Sequence, residues 1–184
     1  MTYISDLKRI MQLDDQVYED LAQRNRLLHY STLHVILLGL LYGVTAVLLS
    51  RRLLSFQGAD SAGDFNALFL IMMGVAVAFL VHGGAALFTW VFCRGIGGSP
   101  LFMPLYLSSG VAAAAAWPLA PLVVLMQSGA HNYLIYAIGL ALSVFLFAVE
   151  FVAVRKATGL NKLRMTIAAV ATFIYMGCFL YLWL

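Results

Sequence analysis

A chain of 184 residues that is 63% hydrophobic and only 10% charged is no soluble domain, where about a quarter of residues are charged. Its apolar residues come in long blocks, so the class is an all-α polytopic membrane bundle, with no room for a separate catalytic domain. A net charge of +3 gives no reason to expect a nucleic-acid partner, and its distribution between loops says more than its total.

Residues 1–30 read as a cytoplasmic amphipathic lead-in to a transmembrane domain spanning 31–184. Ile4, Leu7, Ile10 and Met11 recur at spacings of three and four, and Val17, Leu21 and Leu28 continue the face. Asp14 and Asp15 interrupt it, and either can cap a second helix. Such a segment is expected to lie along the inner leaflet with its basic residues toward headgroups. A solvated charged lead-in is the plainer alternative. Because the first apolar block starts so late, it is expected to serve as an uncleaved signal anchor.

Five blocks are long enough to span a bilayer, which takes about 20 apolar residues. They are Ser31–Leu49, Asn66–Phe92, Leu105–Met126, Tyr133–Val154 and Met165–Leu184. The breaks "SFQGADSAGD", "RGIGGSP", "QSGAHN" and "RKATGLNKLR" carry turn chemistry. Lys8, Arg9, Arg24 and Arg26 precede the first span. Arg94 follows the second, and Arg155, Lys156, Lys162 and Arg164 follow the fourth. Only Arg51 and Arg52 fall on the other side, so the N-terminus is expected in the cytoplasm and the C-terminus outside. Tyr181 and Trp183 stand where an aromatic belt belongs. Cys93 and Cys178 are expected about 20 Å apart in depth, too far to form a disulfide.

The segment "FCRGIGGSPLFMPLYLSSGVAAAAAWPLAP" (residues 92–121) invites a phosphate-loop reading, which its residues refuse. No Lys follows Gly98, and the sixth position of a G-x-G-x-x-G pattern is Pro100. It reads instead as a tight turn, with Pro100 and Pro104 setting the start of the third span. Small residues four apart then predict close helix packing: Ser108, Ala112, Ala116 and Ala120, with Gly139 and Ser143 on the fourth span. Pro118 and Pro121 predict a kink in the outer half of the third.

This order of parts resembles the Yip1 domain family in its short bacterial members, over roughly residues 10 to 184. An amphipathic lead-in precedes five spans, with a Gly-Gly-Ser turn after the second and "PLYLSSG" opening the third. The basic turn "VRKATGLNKLRMTIAAV" joins the last two. The acidic lead-in motif of eukaryotic relatives is missing, its nearest counterpart being "LDDQVYEDLAQ". The resemblance therefore implies a bacterial accessory role rather than a GTPase partner, and brings no catalytic residues.

An ionisable side chain inside a span is a functional candidate. Glu150, about a turn from the cytoplasmic end of the fourth span, either pairs with Arg94, Arg155 or Lys156 or handles a proton or cation. His82, in "FLVHGGAALF", is either a satisfied buried histidine or a proton or metal group, with Gly83 and Gly84 admitting a neighbouring helix. His34 and His131 are expected to have ordinary interfacial or solvated roles. His82 and Glu150 are expected at unlike depths, and no metal-ligand spacing exists, so neither metal nor cofactor is expected. The leading expectation is a non-enzymatic inner-membrane scaffold or accessory subunit with the bilayer and a membrane protein, or its own copies, as partners. The alternative is a small homo-oligomeric transporter or channel with a pathway near His82, Glu150 and Pro118.

Overall fold

Apolar blocks with no period-2 alternation leave the helix as the structure that satisfies the backbone in lipid. The computed structural model describes residues 2–56, 67–99, 101–130 and 132–183, apart from the side chains of 50–56, 176, 177 and 179–183. Its elements are α1 (Tyr3–Met11), α2 (Gln16–Gln23), α3 (Leu27–Phe56), α4 (Ala67–Gly95), α5 (Phe102–Ala112), a 3₁₀ turn (Ala113–Ala116), α6 (Leu119–Gln127), α7 (Tyr133–Thr158) and α8 (Lys162–Trp183). No strand occurs among the described residues. Residues 57–66, Pro100 and His131, and the side chains of Arg51, Arg52, Tyr181 and Trp183, lie outside what is described.

Among the described residues three helical segments are long and apolar enough to cross a membrane: Leu27–Leu49, Ala67–Gly95 and Tyr133–Thr158. A fourth is added if Phe102–Ala116 and Leu119–Gln127, bent by 69° at their break, form one span. The outward faces are apolar, with Leu80, Leu140 and Val144 all exposed. That pattern suits lipid rather than water. Cys93 is buried, Cys178 is exposed, and both thiols are free.

The expected kink is present, and its cause is local. Pro118 has no N–H to continue the helix, so the backbone tightens into the 3₁₀ turn, where the Trp117 N–H donates to the Ala114 carbonyl at 3.3 Å. Every small residue predicted to pack on this segment is buried: Ser108, Ala112, Ala116 and Ala120. They let α5 sit between α3, α4 and α7.

A close backbone-to-backbone approach lies elsewhere. A Cβ on Gly39 would stand 2.5 Å from the Val75 Cα, one on Gly43 2.7 Å from the Ile71 Cα, and one on Gly74 2.7 Å from the Gly39 carbonyl oxygen. Backbone thus meets backbone where α3 crosses α4. The expected close face on α7 differs. Gly139 is buried, but a Cβ there would meet only the Met126 Cε, at 3.9 Å, and Ser143 Oγ donates to the Gly139 carbonyl of its own helix at 2.8 Å. Among the described residues nothing closes on Gly83 or Gly84, since a Cβ on either would meet nothing within 4 Å.

The lead-in is two helices docked on the bundle. Asp14 caps the second, its Oδ1 accepting from the Gln16 N–H at 3.0 Å. Leu13 and Asn25, at φ 62 and 53, turn the chain through left-handed geometry after α1 and α2. In each case the next N–H reaches back to close the helix: Asp14 to the Arg9 carbonyl, Arg26 to that of Leu21. The apolar face expected to meet lipid is largely spent on protein. Ile10, Val17, Tyr18 and Leu21 share one buried cluster with Val111, Ala112 and Ala115 of the α5 region and Val149 and Ala153 of α7. Ile4 and Leu28 stay exposed.

Candidate functional site

α5 carries a polar belt at residues 106–111, where three other helices each bring in one ionisable side chain. From α7, Glu150 meets Ser109, whose Oγ lies 3.1 and 3.0 Å from the two carboxylate oxygens and donates to them. From α4, His82 rests its ring on Tyr106 with centroids 4.5 Å apart and bonds the Tyr106 backbone. From α3, fully buried His34 has Nδ1 2.7 Å from the Val111 carbonyl and Nε2 3.0 Å from the Tyr3 hydroxyl.

The depth expectation is thereby corrected. His82 Nε2 stands 3.2 Å from where a Cβ on Gly110 would be, and Glu150 meets Ser109, the preceding residue. The two groups flank the same turn of α5. Gly110 is required there because a Cβ would run into the Ser31 Oγ.

Glu150 has none of its expected partners. Arg155 lies 3.6 Å from Asp15 and Lys156 2.8 Å from Glu19, while Arg94 stacks on the Trp90 ring at 5.3 Å. The N-terminal helices claim the cations that Glu150 was expected to use. Among the described residues no cation lies within 4 Å of its carboxylate, and no group of three His, Cys, Asp or Glu is placed to hold a metal ion.

Among the described residues two buried side-chain polar atoms have no hydrogen-bond partner: His82 Nε2 and the Tyr18 hydroxyl. Tyr18 comes from α2, and both its burial and the nearby Glu150 charge push its hydroxyl above the usual tyrosine range. Because that hydroxyl is unbonded, Tyr18→Phe is expected to leave stability unchanged or raise it by up to about 1 kcal/mol. Denaturant unfolding of the purified protein checks this. A loss instead would mean that the hydroxyl is bonded.

A second network joins the lead-in to the belt. Asp6, 0% exposed, accepts from Arg24 Nη1 at 3.1 Å, Arg24 Nη2 at 3.2 Å and the Tyr30 hydroxyl at 2.9 Å. Burial alone would raise the Asp6 carboxyl, but the Arg24 and Tyr30 hydrogen bonds outweigh it and hold it below its ordinary value. Tyr3, Tyr30 and His34 pack ring on ring, and Trp117 donates from Nε1 to the His34 carbonyl at 3.1 Å. The kink beside Pro118 is thereby tied to α1 through His34.

Asp6 was legible as an anomaly, an acid one helical turn before Ile10 on the apolar face, yet its partners are 18 and 24 residues away. Tyr18 gave no signal, being one more aromatic on that face. The basic turns converge at one end. Ser99 N–H donates to the Thr158 carbonyl at 2.9 Å, Arg155 and Lys156 pair with α2, and Lys162 and Arg164 open α8. No family model, no curated protein and no solved structure matches the chain.

Proposed function

We propose that this chain is a small proton-conducting membrane transporter or channel in which Glu150 is the proton-binding group. The observation that carries the reading is Glu150 itself, a carboxylate between helices, bonded to Ser109 and with no cation beside it. A lone carboxylate in that setting is costly and is stabilised by taking up a proton. His82, around the same α5 turn with Nε2 unpartnered, supplies a second proton-accepting atom. The Pro118 bend leaves backbone turned away from a straight helix beside this belt.

In this reading α8 is a fifth span and the chain sits in a bacterial inner membrane. Its basic end, which gathers the lead-in and two turns, faces the cytoplasm by the positive-inside rule. The resemblance to the Yip1 domain family rests on the spans and turns quoted above.

Reconstituted into liposomes under an imposed potential, the wild type is expected to acidify the lumen faster than protein-free liposomes. Glu150→Gln is expected to lose at least about tenfold of that rate, the scale of a lost proton-transfer group, while Lys8→Gln keeps it. Wild-type liposomes no faster than empty ones would overturn the reading and favour the accessory-subunit alternative.

A further inference from the structure

Apart from Lys8 and Arg26 of the lead-in, the charges at the basic end sort into two groups. Arg9 pairs with Asp14 and Asp20, Arg24 with Asp6, Arg155 with Asp15 and Lys156 with Glu19. Those pairs use every described carboxylate except Glu150, which is bonded to Ser109. Arg94, Lys162 and Arg164 therefore have no carboxylate partner among the described residues, and all three are exposed.

The fold joins the two turns that carry these three cations. Arg94 is held against the Trp90 ring at the end of α4. Gly97, at φ 93, turns the chain back, and its bare Cα lets Arg164 lie flush against it, since a Cβ there would stand 2.9 Å from Nη1. The turn is pinned to the α7–α8 turn by the Ser99 to Thr158 bond and by Leu160, whose Cγ would be 3.3 Å from a Cβ on Gly98. Both α5 and α8 begin at this corner, so two helix N-termini add partial positive charge. Beside the cations, Leu101 is 62% exposed, Met103 54% and Leu163 73%.

A cationic corner rimmed by outward apolar side chains at the end of a membrane bundle matches one kind of ligand. We infer that it holds the phosphodiester headgroup of an anionic phospholipid, gripped by Arg94 and Arg164 with Lys162 beside them. The acyl chains run along Leu101, Met103 and Leu163. Arginine suits the role because its planar fork donates two hydrogen bonds to one phosphate. Basic pockets between membrane helices recognise lipid headgroups in this way.

The test is native mass spectrometry of the full chain in mild detergent, titrated with short-chain phosphatidylglycerol or phosphatidylcholine. Wild type is expected to retain phosphatidylglycerol preferentially. Arg94→Gln with Arg164→Gln should weaken that retention about thirtyfold and Lys162→Gln alone about fivefold, while Lys8→Gln, on α1 and in neither turn, leaves it unchanged. Equal retention of the two lipids, or retention of phosphatidylglycerol unaffected by Lys162→Gln, would overturn the inference. So would displacement of the lipid by millimolar inorganic phosphate, which would make the site one for the free anion.

Discussion

Gly74→Leu is expected to destabilise the bundle by about 3 kcal/mol or more, the upper range for overpacking, read from denaturant unfolding in mixed micelles. The reason is what surrounds the missing side chain. A Cβ on Gly74 would lie 2.7 Å from the Gly39 carbonyl oxygen and 2.9 Å from the Gly43 Cα and N. All of these are backbone, so no rotamer change relieves the clash. The α3–α4 crossing must open, and it opens along the close face on which association in lipid depends. Gly83→Leu on the same helix is the control, since nothing among the described residues would meet its Cβ within 4 Å, and it should change stability little. Equal effects at the two positions would contradict the packing account.

Asp6→Ala is expected to release the N-terminal helices at a cost of about 2–3 kcal/mol, toward the low side for breaking a buried pair. The low side applies because Arg24 is 30% exposed and regains water when its partner goes. The Tyr30 hydroxyl, on a buried residue, does not. Hydrogen exchange over residues 3–23 should show faster exchange in the variant, with the membrane helices unchanged. The same contact sets a pH dependence. Because Asp6 and Asp14 are both held below their ordinary values, their contribution is complete above about pH 4, the unfolded value. It is lost as pH falls further through the folded values. Protection of the lead-in, taken relative to the intrinsic base-catalysed exchange rate at each pH, should therefore be flat across neutral pH and fall only in acid. A fall in protection between pH 6 and 8 would assign the docking to some other group.

How far the sequence anticipates this arrangement depends on the range of the interaction. The long helices follow from apolar blocks, with ends displaced by a few residues: α3 begins at Leu27 rather than Ser31, and α4 ends at Gly95 rather than Phe92. The bend at Pro118 follows from the missing N–H and is equally local. The Gly39–Gly43 spacing was also readable as a small-residue motif, although the alanine run drew the packing expectation to α5. What the sequence does not display is which ionisable groups meet. Glu150 looked ready for Arg155 or Lys156 because those lie five and six residues along its own helix. The cations go instead to Asp15 and Glu19, more than a hundred residues earlier in the chain. The lead-in shows the same limit, since an amphipathic period fits burial on lipid and burial on protein equally well. Only the placement of Val17 and Leu21 against Val149 and Ala153 decides between them.

Infrared difference spectroscopy of the reconstituted protein addresses Glu150 most directly. The account predicts a protonated-carboxyl stretch that titrates with pH, disappears in Glu150→Gln and shifts in frequency in Ser109→Ala, which removes the hydroxyl bonded to both oxygens. A wild-type spectrum without such a band, or a band that survives Glu150→Gln unchanged, would contradict it.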